Sequence, residues 1–354
     1  MNNNGNSSSS SVNEFGESDQ IYVYTVWVTI IQQILALFGI ALNSAIVYIT
    51  IKHKKLHRSF GFLLAICSFC DALTELATPL ATVLVFLRVR IPLLTCVYAQ
   101  FFAVTANINT FINLFWISID RFVALAFPVF FRNISRFSGK YVLIANVFSL
   151  SIAFYILYLS FVFALQHPEI MVYCEPGDIV QVELMVFASL IMIIFTLATT
   201  VIYIIMGIML KVIRSDQNNS NNSSQSQIEI TCRIFKSLAV IMAVIFCLWF
   251  SSCLMIYIVG RGLITNDPSA QFLITRLVLQ MITIAGAINA PILYICSKEY
   301  RDILKSEFGW VIKLCSIRIR ISFAHPKPNQ NAAATVMVVS RTVKNSNTNR
   351  VHIR

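Results

Sequence analysis

The sequence predicts an all-α integral membrane protein, a bundle of seven transmembrane helices with the N-terminus outside and a short amphipathic eighth helix inside. Three observations predict it. The 354 residues are 57% hydrophobic and only 12% charged, with a mean hydropathy of +0.73, whereas about a quarter of a soluble domain is charged. The apolar residues gather into runs of roughly 20 or more, the length a helix needs to cross a hydrocarbon core. The basic residues lie in segments between those runs, concentrated on alternate sides as the positive-inside rule requires. Soluble enzymes and nucleic-acid binders are excluded on these grounds, because the net charge of +11 sits beside apolar spans and reports topology.

Taken in order, residues 1–20 are predicted to be a disordered outer segment. Met1 to Ser11 is rich in Asn and Ser, and Glu14, Glu17 and Asp19 make the segment acidic. Asn6 heads a sequon there and is a candidate glycan acceptor. No basic region precedes the first apolar run, so that run is expected to act as its own insertion signal and not as a cleaved leader. The spans, within residues 21–296, are Ile21 to Ile51, Gly61 to Leu87, Thr95 to Ile119, Tyr141 to Leu165, Val180 to Leu210, Thr231 to Val259 and Phe272 to Cys296. The inside loops hold Lys52, Lys54, Lys55 and Arg58, then Arg132, Arg136 and Lys140, then Lys211, Arg214, Arg233 and Lys236, while the outside loops hold only Arg88, Arg90 and Arg261. Sequons at Asn133, Asn218, Asn221 and Asn222 fall on inside loops and are expected to stay bare. Asp216 to Gln227 is polar and reads as a flexible inside loop open to phosphorylation. Residues 297–310 form the expected eighth helix, and 311–354 a basic inner tail.

Several residues are costly where they stand. Cys67, Cys70, Cys247 and Cys253 fall within spans and read as small apolar groups. Cys96 and Cys174 both fall outside, where an oxidising compartment permits a disulfide between them. Metal binding there lacks the usual His or carboxylate company. Asp71 and Glu75 lie four residues apart on one face of span two. Carboxylates at membrane depth mark a polar cavity, an ion site or a switch, or are neutral acids bonded to their neighbours. Asp120 and Arg121 end span three, where a cation also complements the helix dipole.

Seven spans with these residues in this order resemble the rhodopsin-like G-protein-coupled receptors over nearly the whole chain. Gly39-Ile-Ala-Leu-Asn43 matches the family's span-one Gly and Asn, and Asp71 follows Asn43 by 28 residues, the family's separation. Cys96 precedes Arg121 by 25 residues, and Asp120-Arg121-Phe122 is similar to the Asp/Glu-Arg-Tyr motif, with Pro128 seven residues beyond Arg121. Trp249 resembles the span-six tryptophan switch, Asn289-Ala-Pro-Ile-Leu-Tyr294 the Asn-Pro-x-x-Tyr ending of span seven, and Ser297 to Phe308 the eighth helix. The resemblance implies a polar or sodium-binding cluster at Asp71 with Asn43, Thr110 and Asn289. It implies that Asp120 holds Arg121 at rest until a heterotrimeric G protein engages, and that Trp249, Pro291 and Tyr294 belong to the switch. The Ile117 to Pro128 run, with Asn289 to Arg301, resembles the nematode serpentine class SX. Span four has no Trp, span five no Pro, Ser251 stands where Pro would follow Trp249, and Ala290 replaces the Asn before Pro291, which puts helix kinks in spans five and six in question.

For the ligand, the position 18 residues before Arg121 is Ala103, where amine receptors of this family carry an aspartate, so an amine held in that way is not expected. Span seven contains no Lys, which argues against retinal. The remaining candidates are Gln100, Val104, Asn107, Glu183, Trp249, Arg276 and Gln280, with Arg276 either attracting an acidic group or pairing with Glu183. They fit an uncharged or weakly acidic odorant-like molecule or a short peptide. No cofactor and no metal beyond sodium at Asp71 is called for. Basic loops and tail would meet a G protein, membrane lipid or both, and Cys315, or the nearer Cys296, is a candidate for palmitoylation.

The expected function is therefore a plasma-membrane receptor that senses an extracellular small molecule or peptide and activates a G protein, and not an enzyme. Its rivals are a receptor-like scaffold that does not signal and a proton- or ion-coupled transporter using Asp71 and Glu75.

Overall fold

The computed structural model describes residues 19–57, 59–134, 138–180, 182–218, 243–244, 246–259, 261, 263 and 268–309. The glycan acceptor Asn6, residues 219–227 of the polar loop, the first part of span six, Cys315 and the tail from 311 lie outside the described residues. Six helices are long and apolar enough to cross a membrane, and a seventh apolar helix, Phe246–Val259, is shorter. This is a helical bundle of the expected class.

Helix α1 runs Asp19–Lys52 and ends on a basic residue that complements its C-terminal dipole. A 3-10 turn, Lys54–Leu56, leads into α2, Ser59–Leu76. The expected single span two is two helices, because α3 begins at Thr78 and ends at Phe86 with Pro79 in its first turn. Proline cannot donate to the carbonyl four residues back, and its ring crowds that carbonyl. The carbonyl is that of Glu75, and it accepts instead from the Thr78 hydroxyl at 2.9 Å. The break thus falls immediately beyond the second buried carboxylate.

Helix α4, Leu93–Ala126, follows Pro92 and stops before Pro128, since a residue ahead of proline disfavours the helical region. It is the central helix, with 67% of its hydrophobic stretch buried against 22% for α7. Pro128 then opens a short helix, α5 (Pro128–Ile134), in the position where its missing N–H costs nothing. Helix α6, Ser138–Gln166, presents Ala145, Ser149, Ala153, Ser160 and Ala164, all fully buried, and packs on α4. Small residues at this spacing let two helices approach closely in lipid.

Helix α7, Val182–Asn218, is unbroken over 37 residues and extends the expected span five beyond Leu210 into what reads as loop at Asp216. Phe246–Val259 is α8, and α9, Pro268–Cys296, continues through Pro291 and packs on α1. The bundle is not wholly α. Ile91–Pro92 (β1) and Met171–Val172 (β2) form a two-residue antiparallel ribbon at the end of the bundle that carries Cys96, here called the disulfide end. Residues 298–304 are helical, with the Ser297 hydroxyl accepting from the Tyr300 N–H at 3.5 Å. Lys305–Arg354 form a separate unit, of which 305–309 are described and helical.

Outward-facing side chains are large and apolar, among them Trp27, Phe38, Phe102, Ile144 and Ile204. Around a soluble protein such a belt would be an aggregation surface; around this bundle it is the face that lipid covers.

A β-carbon added at Gly61 would overlap the Leu56 carbonyl, whereas one at Gly207 would meet nothing within 4 Å. Gly61→Ala is expected to destabilise the bundle by about 1–3 kcal/mol, and Gly207→Ala to be neutral or slightly stabilising. Thermal unfolding midpoints of the purified protein in lipid nanodiscs check the contrast.

Candidate functional site

The polar centre is built on α2. Asp71 is buried and accepts from Asn289 Nδ2 of α9 at 2.8 Å. Asn43 of α1 donates across to the Gly286 carbonyl at 3.1 Å. Thr110 of α4 is buried close to Asp71 without a hydrogen bond of good geometry between them. One turn along, the Glu75 carboxyl is buried close to the Asn43 amide, without a hydrogen bond of good geometry on either oxygen. It occupies space that two glycines leave open. A β-carbon at Gly39 would overlap this carboxyl, and one at Gly286 would lie 3.2 Å from its Oε1.

From this centre a cavity extends toward the disulfide end. Its wall includes Asp71, Thr74, Glu75 and Thr78 of α2 and α3, Asn107 of α4, Trp249 of α8 and Pro176 of the loop between α6 and α7. The cavity is partly open to solvent. Trp249 packs edge-on against Phe111 with ring centroids 3.7 Å apart. It also borders a second void, toward α7, with Phe111, Leu114, Phe195 and Phe246.

The loop over the mouth is tied down several times. Cys96 of α4 and Cys174 are joined in a disulfide. Gln100 donates to the Cys174 carbonyl at 2.7 Å, and Leu93 N–H donates to the Ile170 carbonyl at 2.9 Å. Cys174 holds a left-handed backbone with φ of 63°, a conformation that costs an L-residue free energy unless its surroundings fix it. Glu175 pairs with Arg276 of α9, both buried. Asp178 accepts from the Glu175 N–H at 3.0 Å. Burial pushes the Asp178 carboxyl up to about 7, against the pull of a backbone hydrogen bond.

At the opposite end Arg121 Nη2 reaches the buried Asp120 carboxylate at 2.8 Å, and its guanidinium stacks 4.2 Å from the Phe60 ring centroid. Tyr294 of α9 is half-buried.

Of the ligand candidates, Asn107 and Trp249 line the cavity and five do not. Gln100 is spent on the loop carbonyl, and Val104 is buried in the packing of α4. Gln280 donates to Gln32 at 3.0 Å, which ties α9 to α1. Glu183 is exposed on α7. Arg276 meets Glu175 and not Glu183. A span-by-span reading missed this because the true partner lies in a loop whose path only the disulfide and ribbon define.

The residues missed, Thr74 of α2 and Thr78 at the start of α3, lie three residues beyond Asp71 and Glu75, and that spacing could have found them. The interhelix amide cluster carried no such signal. Asn113 Nδ2 donates to Asn109 and to Asn146 of α6, each at 3.1 Å, and Asn109 reaches Cys70 Sγ at 3.3 Å.

The chain matches the family described as "Serpentine type 7TM GPCR chemoreceptor Srsx" over residues 36–308. No curated protein sequence matches it.

Removing one member of a buried ion pair leaves the other uncompensated, at about 3–5 kcal/mol. Arg276→Gln and Glu175→Gln are each expected to destabilise the protein by roughly that amount, and the double substitution to recover most of the loss. A double-mutant cycle on unfolding midpoints in nanodiscs measures the coupling, and additive effects would show that the pair does not anchor the loop.

Proposed function

The chain belongs to the serpentine seven-transmembrane chemoreceptors of class Srsx, and on that premise we propose that it is a plasma-membrane receptor that takes up a small extracellular molecule at its disulfide end and activates a heterotrimeric G protein at its Asp120–Arg121 end. The observation that carries this reading is the extent of the cavity. Pro176 of the covering loop and Trp249, packed on Phe111, border the same space, so a molecule entering past the loop can touch the proposed switch residue directly.

Trp249 stands between that space and the second void. Close-packed cores move by discrete repacking, not by continuous deformation. A ring flanked by unfilled volume on both sides can exchange between two positions, and a ligand that favours one of them shifts the population. The resting state is the one in which Asp120 holds Arg121. Release of that pair, with movement of Pro291 and Tyr294 on α9, would open the inner end to a G protein. A small molecule fits better than a peptide, because the disulfide, the Gln100 bond and the Arg276 pair hold the loop across the mouth.

Helix α8 supports a flexible switch without proline. Ser251, where the resembling receptors have Pro, donates from Oγ to the Cys247 carbonyl at 2.6 Å, and Ser252 donates to Leu248 at 2.7 Å. Hydroxyls returned to the preceding turn share its carbonyls and loosen the helix there.

The test is guanine-nucleotide exchange, measured across a panel of G proteins and a library of small volatile and water-soluble compounds, in membranes carrying the wild type or Arg121→Ala. Exchange stimulated in the wild type is expected to fall to the receptor-free level in Arg121→Ala at equal surface expression. Exchange indifferent to Arg121, or none from protein verified at the surface, would favour a scaffold. Substrate uptake lost in Asp71→Asn would favour a transporter.

A further inference from the structure

We infer that Glu75 is the counterion for a positively charged ligand, so that the molecule this cavity binds is a small organic ammonium ion with an apolar body. The inference deepens the proposed function and rests on its reading of the cavity as the ligand site.

The first observation is an imbalance of charge. Two carboxyl groups, Asp71 and Glu75, line the cavity, and among its described lining residues there is no Lys, Arg or His. Arg276, the cation the sequence offered to an acidic ligand, is matched by Glu175 and lies outside the lining. An acidic ligand would therefore meet only like charge.

The second observation separates the two carboxyls. Asp71 has its donor in Asn289. Glu75 is 3% exposed, and neither oxygen has a hydrogen bond of good geometry. The nearby Asn43 amide gives one N–H to the Gly286 carbonyl and offers Glu75 only a poorly aligned contact with the other. A carboxylate withdrawn from water without a partner is among the costliest arrangements in a protein, and a cation relieves it. Gly39 and Gly286 back the carboxyl and supply no donor side chain, so beyond the Asn43 amide the cavity is the side from which a donor can arrive.

The neighbours suit an ammonium group. Thr74 Oγ1 donates to the Cys70 and Ala103 carbonyls, and Thr78 Oγ1 to the Glu75 carbonyl and Gln33 Oε1. Their protons are committed, so what these hydroxyls offer an incoming group is lone pairs. An ammonium is all donors and takes both the carboxylate and such acceptors. Trp249 supplies an aromatic wall that also attracts cations, and Leu279 and Ile282 supply apolar contact for the rest of the molecule.

The charge thus comes from α2, one turn beyond Asp71, and not from Ala103 on α4. The failure of the span-three position to provide a counterion removes one way of holding an amine, not the amine itself.

The test is direct binding, read as the shift in unfolding midpoint of the full-length protein in nanodiscs. The probes are hexylammonium and phenethylammonium against hexanol and 2-phenylethanol, in sodium and in potassium buffers. The ammonium ions are expected to stabilise the wild type and the alcohols not to. In Glu75→Gln their affinity should fall about thirtyfold or more, the low end of what truncating one partner of a buried charge pair costs. Alcohols that bind as well as the ammonium ions, ammonium binding unchanged in Glu75→Gln, no ammonium binding at millimolar concentration, or stabilisation by sodium alone would each overturn the inference. If Glu75→Gln does not fold, the wild-type preference for ammonium over alcohol decides the matter. Binding of ammonium without Arg121-dependent exchange would uphold the ligand class and count against signalling. Exchange driven only by neutral compounds would do the reverse.

Discussion

Inside a hydrocarbon layer a polar group has no water to turn to, so each must find its partner within the bundle, and in this protein that demand falls chiefly on α4. The most buried of the long helices, it carries Gln100, Asn109, Asn113, Ser118 and Asp120 inward. Each meets a partner from a different part of the chain or from its own backbone. Gln100 fixes the covering loop, the two asparagines join α4 to α6 and α2, and Asp120 holds Arg121. The helix is thus the post to which the remaining elements are fastened by directional bonds, while small residues on α6 and the apolar cluster of Leu63, Cys67 and Ile117 supply the close packing between those bonds.

Against that background Glu75 is the acidic side chain beside the cavity that the fold leaves without a well-formed hydrogen bond. Nearly every group that could be orphaned by the break between α2 and α3 is answered, even the Glu75 carbonyl that Pro79 leaves unpaired. The Glu75 side chain has no such well-formed bond. A break that turns the chain, glycines of α1 and α9 that make room and a carboxyl without a well-formed hydrogen bond meet beside a cavity. A buried carboxyl that the fold leaves poorly bonded, beside a cavity, is where function is to be sought.

The two ends of the bundle differ in how they are held. The disulfide end is covalently closed, ribboned and ion-paired, which fixes the shape of the entrance. At the other end the described residues include an adjacent Asp–Arg pair with a flat contact to Phe60. Between them lies Trp249, bordered by unfilled space. Rigidity at the entrance and looseness beyond it are what a receptor needs in order to turn occupancy into movement.

Much of this was legible in the sequence, because the membrane reduces the problem. Length and hydropathy alone delimit the spans, basic loops order them, and spacing from Asn43 to Asp71 and from Cys96 to Arg121 assigns their residues to a family. Pairing was legible where it is local, as for Asp120 with Arg121, and where compartment or family spacing pointed to it, as for Cys96 with Cys174 and Asp71 with Asn289. The tertiary structure decided the rest. It showed that Pro79 splits span two, that Arg276 answers Glu175, that Gln100 and Gln280 are structural, and that the acidic face of α2 opens on the cavity. The physical reason is that hydrophobicity is a property of each residue and accumulates along the chain, whereas a hydrogen bond or ion pair between distant segments depends on where a loop is led and how far each helix is turned, which no single segment encodes.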